Sequence, residues 1–462
     1  MIYNISMKVR NLVENGQAKE KVDAFLPEVL DSVSLNPQAL ELSVEQLVRY
    51  SRIPDADGLL KRIDEALKEL NTPENRISPS ERILIERFCA IDEEDRKKVR
   101  GNQCHHQDAV FPGRVWLDTY GERIQAHGGA VIYEDGVYYW YGENKEHTDG
   151  ENGVWTWGIK VYSSTDLYNW EDRGFLIPPV LDDPDSPLFP AKRIDRPHIL
   201  KCSATRKYVC WIKLSGPEAA FTIWQADSLL GPYEMVKDLY NPEGHNVGDF
   251  DLTADWSTGK GYVCFDADHD AMIMMELSDD CLSAVRVVSR SYEGLKPPFT
   301  REAPALFEYS GRNYMITSGM SGYVPNPSDS GVSSGWDQPF ASIGNPHVAD
   351  SSRASFNSQI SKVFRVEGKE GLFIAMADRW LPRYPVDAVR SDMFTRTIAS
   401  TYDPENYNAT DSERMEMYQA ISSEKANTSI ADYVWLPFRM TETSDGQCSE
   451  IRIVWQNQWK IE

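Results

Sequence analysis

The chain has 462 residues, 41% hydrophobic and 26% charged, the composition of a folded protein long enough for more than one core. A net charge of −23 works against a nucleic-acid backbone or an anionic membrane as partner, and no stretch approaches the roughly 18 apolar residues of a bilayer span. Seven cysteines without regular spacing, and charges where a secretory leader needs an apolar stretch, predict a reduced, cytoplasmic setting.

Residues 1–100 read as an α-helical domain. In ADGLLKRIDEALKEL, Leu60, Ile63, Leu67 and Leu70 recur at helical spacing. In ISPSERILIERF, Ser78 is the expected N-cap, Pro79 the first helical residue and Glu81 the far half of a capping box. No catalytic constellation lies here, so the helices are a candidate surface for packing or for homo-oligomer formation. Residues 101–114 form a polar linker. Its Cys104-His105-His106 lacks the paired spacing of a zinc site.

From residue 115 to 462 short aromatic and β-branched runs alternate with Gly, Asp and Asn turns, the grammar of strands and hairpins. One unit recurs: HGGAVIYEDGVYYWYGEN (127–144), RPHILKCSATRKYVCWIK (196–213), DFDLTADWSTGKGYVCFD (249–266), EAPALFEYSGRNYMITSG (302–319) and, more loosely, QISKVFRVEGKEGLFIAMAD (359–378). Each is a polar residue, an apolar strand, a turn and an aromatic strand, starting about 50 to 70 residues apart. Five such units predict an all-β five-bladed β-propeller. Asp266, Asp268 and Asp270 imitate a calcium loop, but Ala271 and Leu277 stand where it needs Gly and Glu.

Inner strands of a propeller run along a central channel, so the leading polar residues ring one mouth of it. These are His127, Asp195-Arg196, Asp249, Glu302 and Gln359. Two carboxylates converging with a histidine and an amide suit acid–base chemistry on a glycosidic bond. Glu302 is the candidate acid, kept protonated by like-charge repulsion from Asp249. Arg196 and Arg301 are candidates to bind a sugar hydroxyl or orient a carboxylate. Tyr138, Trp140, Tyr141, Trp155, Trp157 and Tyr323 are candidates to stack on the sugar, although strand alternation lets only half of VYYWY face the channel.

The phrases DTYGERIQAHGG, YYWYGENKE, VYSSTDLYNWEDRG, RPHIL, GDFDL, REAPALF, SGYVPNP and FNSQ together resemble glycoside hydrolase family 43, in particular its exo-β-1,3-galactanase branch. The likeness covers about residues 114–380 and resumes at YVWLPF, 433–438, with a closing strand near IRIVWQNQW. It implies an inverting, exo-acting enzyme with Glu302 as general acid and Asp249 tuning it. More typical members carry a base Asp at the start of the first blade, where this chain has His127-Gly128-Gly129. The branch shares that absence and places Glu143 and Gln359 on the water side. A neutral amide is a poor base, so either Gln359 positions the water or Glu143 activates it directly.

Tyr323 stands where relatives often have Trp, residues 381–432 read as an insertion with a short helix in DSERMEMYQAISSE, and the helical N-terminal part lies outside the family core. The expected substrate is neutral β-1,3-linked galactan or galacto-oligosaccharide, from which galactose is released, and a cytoplasmic setting points to the short oligosaccharides. An α-L-arabinofuranosidase or β-xylosidase, or a non-catalytic sugar-binding propeller, are the alternatives. No organic cofactor is implied, and a structural calcium in the channel stays open.

Overall fold

A computed structural model describes residues 3–461 apart from 28, 35, 41, 52, 73–76, 217, 424–426 and 441–449. They group into two compact units.

The first unit comprises residues 1–99 together with 180–189. Its helices are α1 (Val9–Glu14), α2 (Gly16–Asp23), α3 (Val29–Val33), α4 (Pro37–Leu40), α5 (Val44–Tyr50), α6 (Ala56–Lys68) and α7 (Pro79–Asp95). The apolar stripe of α6 is buried as its spacing predicts, with Leu60, Ile63, Leu67 and the following Leu70 in one cluster with Val9, Leu12 and Val44. Helix α7 begins on the predicted capping box: Ser78 accepts from the Glu81 amide while Glu81 reaches back to the Ser78 amide. The ring of Phe88, the buried residue of α7, lies 5.2 Å from that of Phe189.

The second unit, residues 100–179 and 190–462, is a five-bladed propeller. Blade 1 is β1 (His127–Glu134), β2 (Val137–Glu143), β3 (Ile159–Ser164) and β4 (Glu171–Ile177). Blade 2 is β5 (Ile194–Lys201), β6 (Tyr208–Leu214), β7 (Ala220–Ala226) and β8 (Glu234–Tyr240). Blade 3 is β9 (Val247–Ala254), β10 (Gly261–Ala267), β11 (Ala271–Leu277) and β12 (Ala284–Ser291). Blade 4 is β13 (Arg301–Tyr309), β14 (Arg312–Gly319), β15 (Asp329–Ser333) and β16 (Ala341–Gly344). A short parallel pair, β17 (His347–Val348) with β21 (Ile453–Val454), precedes and follows blade 5 in the chain. Blade 5 has β18 (Gln359–Arg365), β19 (Leu372–Arg379) and β20 (Asp432–Arg439).

The expected insertion contains two helices rather than one, α8 (Ala388–Tyr402) and α9 (Asp411–Ser423), between β19 and β20; its residues 424–426 lie outside the described ones. The ends of the propeller sequence meet where Val110 and Trp459 exchange backbone hydrogen bonds of 2.9 and 3.0 Å. Among the described residues, no helix is long and apolar enough to cross a membrane.

Why the second strand of blade 1 is aromatic is plain from the packing between blades 1 and 5. Trp140 is fully buried, with ring centroids of Trp435, Tyr433, Trp170 and Trp116 at 4.5, 4.5, 5.3 and 5.4 Å, mostly tilted or edge-on. Those arrangements match the positive ring edge to a negative face. Truncating this hub with Trp140→Ala is expected to cost about 3–5 kcal/mol, read as a lower denaturant midpoint at unchanged slope. A loss under about 1 kcal/mol would show that the cluster is not the joint between the blades.

Candidate active site

Every inner strand is irregular at its start. Pairing with the second strand slips between His127 and Ala130, Asp195 and His198, Glu302 and Ala305, and Ile360 and Lys362, and in blade 3 opposite Phe265–Ala267. A bulge leaves an extra residue without a partner and re-aims the side chains beside it. Three bulge residues, Gly128, Arg196 and Ala303, have φ of +62°, +50° and +51°. For the two with a Cβ that conformation costs about 1 kcal/mol. The recurrent polar offset in the sequence is this bulge. Across from it the second strand ends on a polar residue, pairing His127 with Glu143, Asp195 with Lys213, Glu302 with Ser318 and Gln359 with Asp378.

Arg196 ties four blades together. Its Nε lies 2.9 Å from Asp249 Oδ2, its Nη2 donates to Gln359 Oε1 at 2.6 Å, and its backbone N–H donates to Glu143 Oε1 at 2.8 Å. Gln359 Nε2 donates in turn to Glu302 Oε1 at 3.0 Å and to Ser318 Oγ at 2.9 Å, while Trp380 Nε1 donates to Gln359 Oε1 at 3.2 Å. These partners leave the amide only one orientation and use its whole hydrogen-bonding capacity. Arg196 Nη1 is buried without a hydrogen-bond partner.

Burial pushes Glu302 up to about 8, helped by the charge of Asp249 and opposed by Arg196 and Lys213. The expected repulsion from Asp249 is therefore the second cause, not the first. Burial would also raise Asp249, but Arg196 and Lys213, the latter 2.5 Å from Oδ1, outweigh it and hold this carboxyl well below its ordinary range. Glu143 is pushed up to about 7 by burial, against the pull of Lys145 whose Nζ lies 2.7 Å from Oε2. Lys145 is itself buried and donates to Trp155 O and Thr156 Oγ1.

Glu302, Asp249, Gln359, Glu143 and Arg196 thus meet, and Tyr323 lies close by. Its ring lies 5.3 Å from Trp380 and 6.3 Å, nearly parallel, from Trp155, whose Nε1 donates to Asp195 Oδ1. Tyr323, Trp380, Gln359, Ser318, Asn326 and Asp378 line a cavity of about 10 Å³, space for about one water.

Four expected sugar-binding residues do other work. His127 is fully buried: Nδ1 pairs with Asp378 at 2.9 Å, Nε2 with Gln125, and the ring stacks on Tyr433. The bulge carries it under the rim, where it braces Asp378. Tyr141 is buried with its hydroxyl accepting from the Ile199 amide, a blade-to-blade tie. Trp157 is buried against His147. Arg301 turns along its own blade, donating to Thr317 Oγ1 and O and to Pro327 O. Tyr138 and Trp140 are core, so none of these three residues of VYYWY reaches the cavity.

Sequence reasoning passed over Lys145, Lys213, Ser318, Asp378 and Trp380. The repeat itself held a signal for Asp378 and Ser318, since both stand where Glu143 ends the second strand of blade 1. Deeper in the channel Lys362 Nζ holds both oxygens of Asp251 at 2.5 and 2.7 Å. An ammonium already fills the role a calcium would have on that carboxylate, so these residues do not fit the ion.

The missing first-blade side chain has a structural counterpart. A Cβ on Gly128 would fall 2.3 Å from Glu143 Oε1, so the Glu143 carboxyl fills the space that a side chain at 128 would enter. Gly128→Ala, also strained by its φ, is expected to displace Glu143 and lower glycoside turnover at least tenfold in a folded protein. Lys145→Met, which removes the counter-ion, should do the same. Wild-type turnover in both variants would exclude Glu143 from the chemistry.

The family model for glycosyl hydrolases family 43 matches residues 126–362. No curated protein matches the chain by sequence. Among solved structures, a family-43 β-1,3-galactosidase superposes with TM-score 0.59 at 26% identity over 77% of this chain, and the chain spans 64% of that protein's length. An exo-β-1,3-galactanase from Phanerochaete chrysosporium, solved with β-1,3-galactotriose, gives 0.59 at 20% identity over 77% of this chain and 69% of its own. One from Clostridium thermocellum gives 0.58 at 22% over 77% and 67%. The last two likenesses carry the fold alone. With the bulged rim of five blades closing on Glu302, and half of its length matched by one family model, the chain belongs to glycosyl hydrolases family 43.

Proposed function

We propose that this glycoside hydrolase releases galactose from the non-reducing end of β-1,3-linked galactan chains with inversion at the anomeric carbon. The observation that carries the acid–base part is the contrast between two carboxyls at one rim: Asp249 is buried and touches two cations, whereas Glu302 is half-buried and, among the described residues, has only the Gln359 amide in contact. The galactose part rests on the 26%-identical β-1,3-galactosidase.

In this reading Glu302 donates its proton to the glycosidic oxygen as the bond from C1 breaks. Water attacks C1 from the other side as that bond breaks. Its proton passes to solvent when Gln359 only holds the water, or to the Glu143 carboxylate in the second reading below. Glu302 regains a proton from solvent before the next turnover. Gln359 donates to Glu302 Oε1, which leaves the proton for Oε2. A sugar entering between Glu302 and Gln359 takes over that contact and frees one amide N–H, with Arg196 Nη1 as a second unpaired donor for substrate oxygens. Gln359 lines the cavity and Glu143, 2% exposed, does not, which favours the Gln359 N–H freed from Glu302 as the group that holds the water. The second reading, Glu143 as direct base, draws on its carboxyl being pushed up to about 7.

Proton NMR of β-1,3-galactobiose with the enzyme should show α-galactose first; β-galactose first, or no release, sinks the proposal. Glu302→Gln should lower kcat by at least 10³-fold and keep sugar affinity. The two water-side readings differ in pH. In both, kcat/KM falls above about pH 8 as Glu302 loses its proton. If Glu143 must be ionised, kcat/KM also falls below about pH 7; if Gln359 serves, no limb appears there.

A further inference from the structure

Inner strands that begin at the catalytic rim end at the opposite face of the propeller, where hairpin turns join them to the second strands. The eight residues of β9 set these faces roughly 25 Å apart. On the far face, the turns of blades 3, 4 and 5 wall a cleft of about 520 Å³, a size that small-molecule sites commonly have.

Its outstanding feature is Trp256. The side chain is 86% exposed, and among the described residues it has no hydrogen bond or ring contact. An indole left in water loses the stabilisation of burial, about 25 cal/mol per Å² of apolar surface, and gains nothing for the fold. Its turn is nonetheless held firmly. Asp255 Oδ1 accepts from the Ser257 and Thr258 amides, the Gly259 amide donates to Asp255 O at 2.7 Å, and Ser203 from the next blade donates to Gly259 O. The facing walls are tied too: the Glu367 amide donates to the Tyr138 hydroxyl, and Arg439 Nη1 donates to Glu370 O. Tyr309 and Phe373, with ring centroids 6.1 Å apart, supply apolar surface.

The charges select the ligand. Glu308, Glu367 and Glu370 outnumber Arg365 and Lys369, and Asp255 stands beside Glu308. An anionic group meets net repulsion there. A flat protein partner would need about 800 Å² of matching surface, which a concave, charge-lined cleft does not offer. What remains is a neutral molecule with apolar faces and many hydroxyls: C–H faces of a pyranose stack on the indole while carboxylates and the guanidinium bond its hydroxyl edges.

We propose that this cleft is a second, non-catalytic saccharide site, in which Trp256 stacks on a neutral β-linked galactan chain whose cleaved end is not in it. The identity of the chain rests on the functional reading above; the existence of the site does not.

The test uses the full chain. In the Glu302→Gln background, which keeps polymer intact, migration is followed in native gels containing debranched β-1,3-galactan, with and without Trp256→Ala. In parallel, KM and kcat are measured for galactobiose and for the polymer with Glu302 intact. The expected result is gel retardation lost at least fivefold with Trp256→Ala. KM for polymer should rise three- to tenfold, while both constants for galactobiose stay unchanged. Equal retardation of the two proteins, or none of either, overturns the site. Failure to cleave galactobiose at all overturns the functional reading instead, and the site is then judged on retardation alone.

Discussion

The chemistry of this protein depends on how a few cations are shared among too many buried acids. Glu143 has Lys145, Asp249 has both Arg196 and Lys213, and Asp378 has His127 and the Gly128 amide. Glu302 is left with the amide of Gln359 and, among the described residues, no cation in contact. A half-buried carboxyl that has no cation in contact holds its proton more tightly than one in water, because partial desolvation and the nearby Asp249 charge both disfavour ionising it. The acid is thus defined by exclusion, through what Arg196 and Lys213 are already bound to.

That sharing needs geometry, and the bulges provide it. A regular inner strand would present its polar leader to the channel at one fixed angle. The slip at each strand start instead turns the Arg196 side chain toward Asp249 of blade 3 and Gln359 of blade 5 and leaves room at Gly128 for a carboxylate from the second strand. The left-handed backbone at Arg196 and Ala303 is the local cost of that placement.

Much of this was legible in the amino-acid order. Five repeats gave the blades, and the polar residue leading each repeat gave the rim, because side-chain alternation and strand length are local properties. The capping box at Ser78 was legible for the same reason. What failed was orientation. His127 and Arg301 occupy rim positions in the sequence yet point beneath and along the sheet, since a bulge shifts the alternation by one residue and leaves no mark in composition. Tyr141 and Trp157 are aromatic for packing, and an aromatic strand reads alike whether it faces a sugar or the next blade. Lys145 and Lys213 were missed because their partners are set by burial, which no single sequence displays.

Consider finally the exchange of hydrogen bonds between Val110 and Trp459. These residues flank the whole propeller sequence, and the Ala126 amide likewise finds the Tyr433 hydroxyl 307 residues away. Contacts of such separation form late, because the chain entropy of closing so long a loop must be met before any packing repays it. A ring lacking its last blade lacks Gln359, Asp378 and Trp380 as well. In a chain whose ring is still open, Glu302 lacks the Gln359 contact and part of the enclosure that lifts its carboxyl above the ordinary range. The acid is therefore a property of the closed circle rather than of any single blade.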